Sequence, residues 1–216
     1  VKDIPYLPVI FFKKNKIKSF KGKSKLFFNS SGTTSKNLSS HHLNKIENYI
    51  ESFIRTFESF YGPLTDLTIL ALLPSYLKQK NSSLIFMMNE LINKTKKKES
   101  GFYLYDYKKL SKTVDFLENN KRKSILIGIV PSLFSFGELF PKKLKHTIIM
   151  ETGGLKNIPY ELTRRKIHKK LKDFFGVNFI HSEYGMTELL SQGYSFKNGI
   201  FKNPPWMKIF TYELNN

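Results

Sequence analysis

Thr147-Ile148-Ile149-Met150-Glu151-Thr152-Gly153-Gly154 opens the stretch whose reading decides the fold, and Val177-Asn178-Phe179-Ile180-His181-Ser182-Glu183-Tyr184-Gly185-Met186-Thr187-Glu188 closes it. A short apolar run breaks into two glycines, a helical pattern over 160–175 stops at Gly176, and a second apolar run over 177–180 leads into polar residues. That is a strand–helix–strand sequence, and its natural product is a pair of parallel strands with a helix on one face.

The same alternation extends outward in both directions. Strands are expected at 7–12, 26–28, 67–73, 103–105, 125–130, 147–150 and 177–180. Several of these runs are continuously apolar rather than alternating, as in strands buried on both faces. Helices are expected at 83–96, 110–119 and 160–175, and the clearest begins at Ser39 or Ser40 as N-cap and runs to Tyr61. Its stripe is Leu43, Ile46, Ile50, Phe53, Ile54, Phe57 and Phe60, and Gly62-Pro63 ends it. The expected fold is α/β, a mainly parallel sheet with flanking helices in one domain spanning 1–216. The start at Val1 and the end at Tyr212-Glu213-Leu214-Asn215-Asn216 carry the expectation of a fragment of a larger domain.

Composition narrows the function. With 40% hydrophobic and 25% charged residues the chain is globular, and no apolar stretch reaches the roughly 18 residues of a spanning helix, so a cytosolic protein without a membrane span is expected. Absence of cysteine removes disulfides, thiolate zinc sites and thiol nucleophiles. The five histidines, His41, His42, His146, His168 and His181, lack the spacing of a metal-binding helix. A net charge of +19 points at first to a polyanion partner. Yet only Arg55, Arg122, Arg164 and Arg165 are arginine among 36 basic residues, whereas nucleic-acid readers favour arginine's bidentate fork. Short runs such as 94–98 and 121–123 fit solvated helix ends, and no nucleic-acid partner is expected.

In parallel sheets, ligands bind beyond the carboxyl ends of the strands. Three polar segments follow expected strands there. Ser30-Ser31-Gly32-Thr33-Thr34-Ser35 offers small residues, hydroxyls and close-approaching backbone N–H groups suited to phosphate, without the Gly-Lys-Ser/Thr ending of a Walker loop. Gly153-Gly154 leaves room for a flat ring or a ligand chain against the backbone. Tyr184-Gly185-Met186-Thr187-Glu188 supplies an aromatic face for a purine, a glycine, a hydroxyl and a carboxylate for magnesium. Singly, each also fits an ordinary turn, and the last fits a helix start capped by Thr187. His41, close behind the hydroxyl-rich segment, fits either a surface histidine or a ligand contact. Together they suggest an ATP site.

Taken in order, these segments resemble the adenylate-forming superfamily of acyl-CoA synthetases. Ser-Ser-Gly-Thr-Thr-Ser at 30–35, Ser40-His41, Ser59-Phe60-Tyr61-Gly62 and Thr152-Gly153-Gly154-Leu155-Lys156 look most like the acyl-protein synthetases (LuxE type) of bacterial luminescence, with the phenylacetate-CoA ligases as near kin. The resemblance implies the large N-terminal domain of such an enzyme, with the small C-terminal domain absent from this chain. It implies that Ser30, Ser31, Gly32, Thr33 and Thr34 hold the triphosphate, Gly153 and Gly154 lie beside adenine and the acyl group, and Tyr184 stacks on adenine. Thr187 would contact phosphate, and Glu188 would hold magnesium.

The implied activity is that of an acid–thiol ligase: a fatty or other carboxylic acid becomes an acyl-adenylate at the expense of ATP with Mg2+, and the acyl group passes to a protein cysteine or coenzyme A. The superfamily's phosphate-loop lysine falls at Leu38 here, and its ribose-binding aspartate, catalytic lysine and acyl-accepting cysteine have no match before Asn216. Residues 1–216 alone are therefore expected to bind ATP weakly and to form no adenylate. The alternative is a non-catalytic nucleotide- or nucleic-acid-binding α/β module that uses the basic surface.

Overall fold

Alternate residues of one central strand, Thr68–Leu72 (β3), face two different hydrophobic cores, and this divides the molecule into layers. Ile69 and Ala71 join one core, while Leu70 and Leu72 join the other. The computed structural model describes residues 6–24, 26–30, 38–73, 81–154 and 163–211. Around β3 lie Gly101–Phe102 (β4), Ser124–Ile129 (β5), Thr147–Thr152 (β6), His181–Tyr184 (β7), Gly193–Ser195 (β8) and Phe201–Lys202 (β9), after Leu26–Asn29 (β1) and Ser40–Leu43 (β2) earlier in the chain.

The large sheet has seven strands in the order β4-β3-β5-β6-β7-β8-β9. Pairings from β4 through β7 are parallel and the last two are antiparallel. Counted among themselves, the parallel strands run 2-1-3-4-5, a doubly wound order with helices on both faces. The helices are Phe11–Lys14 (α1), Ile46–Tyr61 (α2), Ser83–Thr95 (α3), Tyr107–Asn119 (α4), Val130–Leu139 (α5) and Arg164–Phe175 (α6). Phe53 and Phe57 of α2 and Met87, Met88 and Leu91 of α3 fill one core; Leu110 and Val114 of α4, Leu133 and Phe136 of α5, and Ile167 and Leu171 of α6 fill the other.

Local chemistry sets the helix ends. Ser82, Asp106 and Thr163 each cap a helix by accepting from the backbone N–H three residues on. Gly176, at φ 62°, closes α6 in the left-handed conformation that glycine adopts without a Cβ penalty.

Several expected boundaries are corrected. The strand expected at 7–12 is a turn leading into α1, because Pro8 has no N–H to give a ladder and its carbonyl accepts from Phe11 N. The residues at 39–43 are not the first turn of a helix. Ser40–Leu43 is a strand whose His41 opposes Phe28 and whose Leu43 opposes Leu26, and α2 starts only at Ile46. This β1–β2 hairpin is a sheet of its own, outside the seven-stranded one.

The strand expected at 103–105 lies at Gly101–Phe102, and Leu104 at φ 49° ends the extended run. The run at 177–180 buries Ile180 but pairs with nothing; pairing with β6 begins one residue later, Met150 opposite His181. The strand expected to run to Val130 ends at Ile129, where α5 begins; α5, β8 and β9 were not expected from sequence. The helix expected from Tyr160 is described from Arg164.

Gly137 records how closely α5 and α6 approach. A Cβ there would sit 2.7 Å from Phe174 Cδ2 and 2.8 Å from its Cβ. Alanine gains about 1 kcal/mol of helix propensity over glycine, but overpacking costs about 1–3 kcal/mol, and contact with a Cβ leaves little freedom to relax. Gly137→Ala is expected to lower the thermal midpoint by a few degrees. An unchanged or higher midpoint in a melting curve would show that Phe174 swings aside.

Candidate functional site

Two carboxyl strand ends and one hairpin converge at a single edge of the structure. β6 leaves the sheet at Thr152-Gly153-Gly154, with Gly153 at φ 81° and Gly154 at φ 68°, and none of the described residues lies within 4 Å of a Cβ built on Gly154. Both glycines therefore take a backbone conformation that side chains resist. β7, parallel to β6, ends alongside at Tyr184.

Tyr184 is the last residue of its strand rather than part of the loop after it. It is 46% exposed, meets Phe201 edge-on at 6.0 Å and donates its hydroxyl to Met186 Sδ at 3.6 Å. After Gly185 the chain makes a turn closed by Leu189 N donating to Met186 O at 3.1 Å, with Thr187 and Glu188 at its centre. Thr187 thus caps no helix, which corrects that expectation for the segment. The half-buried Glu188 has no ion-pair partner among the described residues.

The hairpin reaches this turn through His41. Its Nδ1 donates to Thr187 O at 2.9 Å, and its ring packs edge-on against Phe12 at 5.3 Å. At the hairpin's far end Ser30 N donates to Ser39 O at 2.9 Å and Ser39 N to Ser30 Oγ at 3.0 Å, so the hydroxyl-rich segment is the connection between β1 and β2. Ser30 is described; Ser31, Gly32, Thr33 and Thr34 lie outside the described residues. α2 holds the polypeptide beyond the turn, with Ser52 Oγ donating to Leu190 O at 2.9 Å and Gln192 Nε2 donating to the Tyr49 hydroxyl at 3.3 Å.

Beneath the two strand ends are two buried carboxylates on opposite faces. Glu151 faces α6, where Arg164 Nε lies 3.7 Å and His168 Nε2 3.5 Å from its Oε1. Glu183 faces α2 and accepts a hydrogen bond from Thr152 Oγ1. Burial, against the opposing hydrogen bond from Thr152 and with some help from the charge of Glu151, pushes the Glu183 carboxyl up to about 7. The neighbouring His181 is held down at about 4 by burial and shares a 3.2 Å hydrogen bond with the Tyr61 hydroxyl. Tyr49, Tyr61 and Tyr194 are all pushed up, mainly by burial and next by the charge of Glu183.

Because the folded protein prefers Glu183 protonated, its contribution to stability is complete below the unfolded carboxyl's value and is lost as pH rises through about 7. Glu183→Gln, which cannot ionise, is expected to gain stability relative to wild type above neutrality, on the order of 3 kcal/mol, and little at mildly acidic pH. Denaturant melts at several pH values check this, and parallel curves for both proteins would sink it.

The ends of β6 and β7 bring Gly153 and Gly154 beside Tyr184, Gly185, Thr187 and Glu188, whereas Ser30 belongs to the separate β1–β2 hairpin and is not at a carboxyl end of the parallel sheet. Sequence reasoning passed over Glu183, although a carboxylate inside a strand immediately before Tyr-Gly is a visible anomaly. It also passed over Tyr49, Ser52 and Gln192, which carry no local signal. A magnesium ion fits the residues present in one way: among the described residues no three acidic or imidazole groups cluster, but a lone accessible carboxylate such as Glu188 suits a cation that takes its remaining ligands from phosphate and water. Among the described residues no helix is long and apolar enough to cross a membrane. Comparisons of the chain with protein-family models, with curated proteins and with solved structures find no match.

Proposed function

We propose that this edge binds magnesium-ATP and that the chain is the nucleotide-binding part of an acid–thiol ligase of the acyl-protein synthetase kind. The observation that carries the reading is the His41 Nδ1 to Thr187 O bond at 2.9 Å, which ties the hairpin bearing the hydroxyl-rich connection to the turn bearing Glu188. That bond joins two segments far apart in sequence, the strand that follows the hydroxyl-rich connection and the turn that carries Glu188, and so supports reading them as one site.

In this reading a carboxylate oxygen attacks the α-phosphorus of ATP, the bond to the bridging oxygen breaks, and pyrophosphate leaves. The acid is already ionised near neutral pH, so no general base is needed. The barrier comes from bringing two anions together and from charge building on phosphate, which backbone N–H groups and a magnesium ion at Glu188 offset. A thiolate then attacks the acyl carbonyl carbon and AMP leaves, its phosphate oxygen taking the bonding pair. Gly153 and Gly154 give the flat base and the acyl group access to the backbone, and the exposed Tyr184 offers a stacking face.

Isothermal titration of the chain with magnesium-ATP, followed by acid-dependent pyrophosphate release from a full-length protein that also supplies the catalytic lysine, screened across acid chain lengths, tests this. Binding that requires magnesium, with release only in the presence of an acid, is the expected result. No binding of magnesium-ATP at millimolar concentration would remove the reading.

A further inference from the structure

Among the described residues, Glu183 is the one carboxylate that touches the exits of both strands. Its Oε2 accepts from Thr152 Oγ1, immediately before the two glycines that leave β6. Its Oε1 fills the space beside Gly185, so that a Cβ on that glycine would lie 2.8 Å away. A side chain at Gly185 would therefore displace the Glu183 carboxylate. Tyr49 and Tyr61 on α2 and Tyr194 on β8 face the carboxylate, the charge of Glu151 acts on it from the opposite face of the sheet, and no cation pairs with it among the described residues.

A lone buried acid is costly, since taking an unpaired charge out of water is paid back only by good hydrogen bonds. Threonine and glycine at its two ends would pack equally well against an apolar side chain. The Tyr194 hydroxyl and Gln192 Oε1 beside this region are also buried without partners among the described residues, so the polar character here exceeds what packing needs.

We propose that Glu183 is a positioning residue: it bridges Thr152 and the Gly185 bend, and so fixes the separation of the Gly153-Gly154 exit from the Tyr184–Glu188 turn. Ionised, the carboxylate draws the Thr152 hydroxyl in as a donor and holds the exits together. Protonated, it offers a donor of its own to the neighbouring unpartnered acceptors, and its hold on Thr152 weakens. The spacing of the two exits follows that switch. This rests on the nucleotide reading only for what binds between them; the spacing itself is a property of the ligand-free chain.

The test uses the whole chain, with Glu183→Gln and Gly185→Ala, and two independent readouts. Without ligand, the backbone amide resonances of Gly153, Gly154 and Gly185 are followed by NMR across the neutral pH range. In the wild type they should shift together with one midpoint near 7, and in Glu183→Gln they should stay flat. With magnesium-ATP as probe, wild-type affinity should follow the same midpoint by about fivefold or more, and Glu183→Gln should give a level profile. Gly185→Ala should weaken binding about tenfold, and in Glu183→Ala the same change should cost nothing further, because the atom it strikes is gone.

Amides that titrate independently, or not at all, overturn the positioning role even if magnesium-ATP binds, and the nucleotide reading then survives. Amides that titrate together in a wild type that binds no magnesium-ATP leave the positioning role standing and remove the nucleotide reading. A Gly185→Ala penalty that persists undiminished in the Glu183→Ala background also overturns it.

Discussion

Glu188→Gln is expected to abolish the magnesium dependence of ATP binding and to lower acid-dependent pyrophosphate release about a hundredfold or more. The amide matches the carboxylate in shape but is neutral, so what is lost is charge and not packing. Glu188 sits at the centre of the Met186–Leu189 turn without an ion-pair partner among the described residues, which leaves its charge available to a cation. Losing a contact to charge that develops in the transition state typically costs about 3–4 kcal/mol, far more than the roughly 0–1 kcal/mol of an exposed ion pair. Titration with and without magnesium and a pyrophosphate assay read the two effects. Wild-type magnesium dependence in the variant would take Glu188 out of the site.

Phe28→Ala is expected to release the β1–β2 hairpin while the seven-stranded sheet stays folded. A two-stranded hairpin is marginal by itself in water, and this one is held chiefly by Phe28 and Leu43, both buried in the α2–α3 core. Phe28 meets Tyr49 edge-on at 5.5 Å and Phe86 at 5.4 Å, and truncating a buried phenylalanine typically costs about 3–5 kcal/mol. A loss of that size exceeds what the hairpin holds locally. Amide hydrogen exchange should show the β1 and β2 amides losing protection while those of β5 and β6 keep it. Magnesium-ATP affinity should fall at least about tenfold, because the His41 to Thr187 bond goes with the hairpin. Unchanged protection in β1 and β2 would show that the hairpin is held by something other than this cluster.

The α/β alternation, a mainly parallel sheet with flanking helices, and the position of Thr152-Gly153-Gly154 after a strand were legible in the sequence. Those features rest on short-range signals: continuous apolar runs for doubly buried strands, and glycine stops at Gly62 and Gly176. Only the tertiary structure decided the rest. Ser40–Leu43 fits a helical stripe as well as a strand, because over four residues the two periods cannot be told apart, and the choice falls to β1, which offers an edge to pair with. The largely apolar character from 125 to 136, interrupted only by small residues and Pro131, conceals the point where β5 turns into α5. Tyr184 ends a strand rather than lying beyond it because β7 goes on to pair antiparallel with β8, Tyr184 opposite Gly193, and that partner leaves no mark in the local sequence. Glu183 depends on tertiary structure most of all: a carboxylate's charge follows from what surrounds it, and Thr152, Tyr49, Tyr61 and Tyr194 reach it from three other elements of the fold.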